Sequence, residues 1–137
     1  MKRSDLQKLA RTRIKEARIL LKAEAYDGAY YLFGLAVEAA LKACIAKKTN
    51  RYDFPDKSVV NNSYSHNLAQ LTSVSGLTPA IDVRSKTNPA FAANWSVVLS
   101  WTIDSRYSTH GAQKAKDLCK AVTNPHNGVM ACIRQSW

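Results

Sequence analysis

The chain has 137 residues, enough for one domain around one core, and its 46% hydrophobic and 22% charged composition is that of an ordinary folded protein rather than a disordered or fibrous one. A formal net charge of +10 implies long-range attraction for polyanions or an acidic partner, without choosing among RNA, DNA, anionic lipid and protein. Three widely spaced cysteines, Cys44, Cys119 and Cys132, give neither a disulfide framework nor a metal-ligand spacing, and read as reduced, buried thiols. The start of the chain is charged from Lys2 onward, with no apolar leader core, and no uninterrupted apolar run reaches the ~18 residues of a membrane span. A cytoplasmic protein without membrane contact is the expectation.

The first helix is expected to begin at Ser4, where Gln7 completes a capping-box pattern. Leu6, Leu9, Ala10, Ile14, Ala17, Leu20 and Leu21 form its apolar stripe. Lys8, Arg11, Lys15, Arg18 and Lys22 recur at helical spacing on another face. Such a stripe is either a solvated outer face or a track for phosphates; like charges one turn apart repel, and Glu16 and Glu24 offset this only in part. Ala25, Tyr26 and Gly28 mark a turn into the segment that organises the chain, 27–48. Its apolar residues fall at Ala29, Leu32/Phe33, Ala36/Val37, Ala40/Leu41 and Cys44/Ile45, the i, i+3/i+4 pattern of one helix face. Asp27 is placed as its N-cap, and Lys42, Lys47 and Lys48 lie towards its C-terminus, where the helix dipole favours cations. Glu38, the lone acid within the helix, is spaced to pair with Lys42.

From Thr49 to Ser65 the periodicity stops, and Asn50, Asp53, Pro55, Asp56, Asn61 and Asn62 predict a long loop, pinned down by Tyr52, Phe54, Val59, Val60 and Tyr64. A short helix follows, capped by Ser65 near His66, with Leu68, Leu71 and Val74 inward and Gly76 as its stop. Pro79 to Thr87 reads as a second irregular link. Asn88-Pro89 is an N-cap and N1 pair opening a helix that buries Phe91, Trp95, Val98/Leu99 and Thr102. Val97 to Trp101 has strand character but no partner strand. Gly111, after Ser108 and Thr109, suggests a break and a new helix burying Ala112, Ala115, Leu118/Cys119 and Val122. Asn124-Pro125 reads as another N-cap and N1 pair before a short helix carrying Val129, Ile133 and Trp137. The sum is an all-α protein: an up-and-down four-helix bundle with additional short helices, in one domain over 1–137.

The residues that could carry chemistry are Asp104, Arg106, Tyr107 and His110. On a continuous helix Arg106 and His110 would share a face. An arginine fork can hold a phosphate, and a histidine can take a proton from a 2′-hydroxyl or return one to a leaving oxygen. An Arg–Asp pair closing a helix end beside a surface histidine is the structural alternative. His66 is placed at the short helix and His126 on the surface; the three histidines form no metal-site pattern, and no Gly-rich phosphate loop or nucleophile elbow occurs. Tyr30, Tyr31, Trp95 and Trp101 are assigned to the core. No cofactor and no metal are implied. A helix-turn-helix DNA-binding reading founders on the short helix after His66, which has Asn67 and Gln70 but no basic residue.

AYYLFGLAVEAALKACIAKK at 29–48, FPDK at 54–57, SHNLAQL and SGL within 65–77, W and SRY within 101–107 and GVMACIRQSW at 128–137 together resemble the HEPN-domain family. The resemblance implies a helical bundle, usually a homodimer. It implies metal-independent endoribonuclease activity for many members, often toxins paired with a nucleotidyltransferase-type antitoxin or acting in defence. The family's catalytic arginine maps to Arg106 and its histidine to His110, with three residues between them here against the family's four to six, and with Tyr107 in place of a small polar residue. Glu38 matches a recurring acidic position. The chain is therefore expected to be an RNA-binding protein or endoribonuclease, with Arg106 and His110 catalytic, Glu38, Asp104 and Tyr107 in support, and the basic stripe on RNA; the alternative is a non-catalytic dimer that binds a nucleotide or a protein.

Overall fold

The computed structural model describes residues 1–50 and 57–137, and the described residues form eight α-helices and one 3-10 helix, with no strand. In order these are α1 (Arg3–Lys22), α2 (Tyr26–Asn50), α3 (Lys57–Asn62), α4 (Leu68–Ser75), α5 (Thr78–Thr87), α6 (Pro89–Leu99), the 3-10 helix Ile103–Tyr107, α7 (Gly111–Thr123) and α8 (Val129–Arg134).

α2 is the axis of the molecule. α1 packs along it as an antiparallel hairpin, and α4, α7, α8 and the 3-10 helix also lean on it. The sequence pattern predicts one buried face; from Ala36 to Ile45 burial is instead nearly all round, with only Lys42 reaching out. Phe33 and Leu41 are fully buried there, each stabilising the fold by roughly 1.5–3 kcal/mol through removal from water. By length and a mean hydropathy of 1.4, α2 passes the test for a membrane-spanning helix, contrary to the expectation from uninterrupted runs, yet 72% of that window is buried against its neighbours.

Gly34 decides how closely the 3-10 segment approaches α2. A Cβ at this position would lie 1.9 Å from Trp101 Cε2. The Trp101 ring therefore occupies the notch left by the missing side chain, and only 2% of Trp101 is exposed. This contact fixes the start of the stretch that carries Arg106.

Several local expectations need correction. α1 starts at Arg3, and the Lys2 amide donates to Asp5 Oδ2 (3.0 Å) where the Ser4/Gln7 box was expected. The cap of α4 is Asn67, whose side chain accepts from the Gln70 amide at 3.0 Å; Ser65 Oγ instead accepts from the Asn67 amide. Gly76 ends α4 in the left-handed region at φ +79°, which favours glycine. Residues 57–62 of the expected loop are helical, as is the expected link after Pro79; Asp53, Phe54, Pro55, Asp56 and Tyr52 lie outside the described residues. In α5 proline occupies the first turn, where its missing N–H costs nothing. Asn88 caps α6 as expected, accepting from the Phe91 amide (3.1 Å), but Leu99 and Thr102 are exposed rather than inward. Asn124 does not open a helix: its Oδ1 accepts from the His126 and Asn127 amides (3.0 and 2.8 Å), closing the turn between α7 and α8.

Candidate nucleic-acid interface

Arg106 lies on the 3-10 helix and is exposed. Its guanidinium carbon stands 4.8 Å from the Tyr107 ring centroid, and Tyr107 is itself 77% exposed. Hydrogen bonding to the Tyr31 side chain, then the charge of Tyr107, raises the Arg106 pKa above the ordinary arginine value. Among the described residues no carboxylate lies within ion-pair distance of Arg106, so the expected Asp104–Arg106 pair is not formed; Asp104 is exposed nearby. A cation set over one aromatic ring, hydrogen-bonded to a second tyrosine and not neutralised by any described carboxylate is a ready ligand for phosphate.

His110 is held differently. It lies beyond the 3-10 helix, immediately before Gly111, so the two residues do not share one continuous helix face. The His110 amide donates to Asp27 Oδ1 (2.6 Å), an acid within the first turn of α2 rather than at the expected N-cap. Its Nε2 lies 2.9 Å from the Ser105 carbonyl oxygen. A carbonyl only accepts, so Nε2 carries the proton in this arrangement. Nδ1 is buried without a hydrogen-bond partner among the described residues. The ring stacks on Tyr30 at a centroid separation of 4.0 Å, and Lys114 Nζ lies 5.2 Å from the Tyr30 ring. Burial raises the Tyr30 pKa. Among the described residues no hydrogen bond or ion pair joins Arg106 to His110. In this geometry the imidazole buttresses the segment before α7, with neither nitrogen offered to an incoming hydroxyl.

Glu38 is on α2, only 6% exposed. Its Oε1 accepts from Lys42 Nζ at 3.0 Å, as the spacing predicts, and lies 2.8 Å from His66 Nδ1. It thus ties the segment before α4 to the central helix, and does not meet Arg106 or His110. His126 is exposed, as expected.

Lys8, Arg11, Lys15, Arg18 and Lys22 all project from the exposed side of α1. Ordering by chain position alone could not reveal Asp27, Tyr30, Tyr31, Ser105 and Lys114 as neighbours of this region. The adjacent tyrosines were visible, but helical spacing assigned them to the core; Tyr30 is indeed buried, Tyr31 only partly so.

A HEPN domain family model matches residues 4–124. No match was found among curated proteins, nor among solved structures. The matched span runs from α1 through α7 and contains the Trp101 notch, Arg106 and His110. This chain belongs to the HEPN domain family.

Proposed function

We propose that this HEPN protein is a cytoplasmic RNA-binding homodimer in which Arg106 grips a phosphate of the bound strand, and that it works beside a nucleotidyltransferase-type antitoxin or in a defence system. The observation that carries the RNA contact is the exposed Arg106 guanidinium, without an ion-pair partner among the described residues, over the Tyr107 ring and hydrogen-bonded to Tyr31. The exposed cations of α1 and the net charge of +10 support attraction for the backbone. Binding without cleavage fits the geometry best, because the imidazole of His110 is committed to Ser105 and shut away at Nδ1.

Ribonuclease action is the second reading, and the presence of both Arg106 and His110 within the span matched by the family model favours it. Turned outward, His110 would take the proton of a 2′-hydroxyl. That oxygen would attack the phosphate held by Arg106, and the 5′-oxygen would leave with the proton returned by the His110 imidazolium, giving a 2′,3′-cyclic phosphate and a 5′-hydroxyl. Incubating the purified protein with labelled RNA separates the readings. Binding that weakens in Arg106→Ala, with intact RNA throughout, supports the first. Cyclic-phosphate products lost in both Arg106→Ala and His110→Ala establish the second. An Arg106→Ala variant with unchanged affinity refutes the phosphate contact.

A further inference from the structure

A groove of about 400 Å³ is lined by Arg11, Ile14, Lys15, Arg18 and Ile19 of α1 and by Arg134 of α8. Four of these six side chains are cationic and none is acidic. Glu16, next to Lys15 in the chain, is engaged with Arg13. Two of its lining arginines also meet at the Trp137 ring. Arg11 Cζ lies 4.9 Å and Arg134 Cζ 5.9 Å from its ring, and Arg3 Nη2 donates to the Trp137 carbonyl (3.0 Å). Two guanidiniums are thus gathered on one indole, although 123 positions separate them in sequence. Burial, then the positive charges of Arg11 and Arg18, lowers the Arg134 pKa. The fold pays for this crowding of like charge, and an anion bound in the groove would relieve it.

We propose that this groove is a second anion site, separate from Arg106, in which Arg11, Lys15, Arg18 and Arg134 hold consecutive phosphates of an RNA strand. The assignment rests on the RNA-binding reading above. A linear polyanion fits better than a single phosphate, because Lys8 and Lys22 continue the line along the same exposed side of α1. Fourteen helical residues at ~1.5 Å each span roughly 21 Å, the reach of several phosphates. The lining offers four cations and two isoleucines, with no aromatic ring among them for a base to stack on, so the site reads backbone charge and not base identity.

The test is fluorescence anisotropy with labelled single-stranded RNA over a salt series. Each phosphate contact to a single strand contributes ~0.7 to the slope of log K against log [salt]. Arg11→Gln/Arg134→Gln is expected to flatten the slope by about 1.4 and to weaken binding roughly 25-fold at 0.1 M salt. Lys116→Gln/Lys120→Gln on α7 removes the same charge from exposed positions outside the groove and should change the slope much less. Equal flattening in the two variants, or none in the groove variant, overturns the site. So does displacement of RNA by inorganic phosphate alone at the same ionic strength, which would reduce the groove to a single-anion pocket. Failure of the wild-type protein to bind RNA overturns both this site and the RNA-binding reading. Loss of the Arg106 effect with the groove effect retained overturns Arg106 only.

Discussion

Gly34→Ala is the most informative single change. In an isolated helix the substitution is favourable by about 1 kcal/mol, because alanine loses less backbone freedom than glycine. Here the new methyl would lie 1.9–2.1 Å from three atoms of the Trp101 ring, far inside contact distance. The indole cannot swing aside freely, since it is 98% buried beside the fully buried Val98 on the preceding helix. Overpacking of this kind costs typically 1–3 kcal/mol and sometimes more. With the overlap this deep, a gross cost of about 3–4 kcal/mol less the propensity gain leaves a net loss of about 2–3 kcal/mol. Urea unfolding followed by tryptophan fluorescence measures it. Trp101→Leu should itself destabilise, but Gly34→Ala added to Trp101→Leu should cost far less than Gly34→Ala alone. A Gly34→Ala protein within about 0.5 kcal/mol of wild type, or strict additivity in the double variant, would refute the notch as the reason for glycine.

Glu38→Ala removes a buried carboxylate that anchors both Lys42 and His66, and should cost about 2–3 kcal/mol in chemical denaturation; a change under 0.5 kcal/mol would show the pairings to be incidental. Asp27→Ala deletes the acceptor for the His110 amide, and about 1 kcal/mol of stability should go with it; hydrogen exchange at that amide should accelerate, and unchanged exchange would count against the contact. Cys44 offers a pH test. Burial pushes its thiol up to about 11, so the folded state keeps a proton that the unfolded chain releases above ~9. Its contribution is complete below pH ~9 and is lost as pH rises towards 11, by roughly 2–3 kcal/mol at most. Melting temperature should therefore fall more steeply over pH 9–11 for wild type than for Cys44→Ala, and parallel curves would refute it.

The architecture was legible where apolar periodicity is long and punctuation is local. α2 announced itself through five turns of spacing, and Asn88-Pro89 marked the start of α6 because cap and proline act within one turn. α5 was missed because Ile81 is its only buried residue, so no stripe could form. α3 has no buried residue at all, and only Val59 leans on the core. Asn124 misled because the same side chain serves a turn as readily as a helix start. At the site, Arg106 could be singled out, but the fate of His110 depends on Asp27, 83 positions away, and Arg134 reaches the α1 cations only through the fold. Such pairings leave no local mark in the chain.

Tyr30 and Tyr31 are neighbours on α2, and successive helical side chains diverge by about 100°. One is tied to the imidazole, the other to the guanidinium. They act as two mooring posts on a rigid quay, with the stretch from Arg106 to His110 slung between them. An insertion that lengthened this line to the spacing common among ribonuclease relatives would pay out slack without moving either post. Under the RNA-binding reading proposed above, cleavage would require unfastening the Tyr30 berth as well, so a single loop extension should leave RNA uncut.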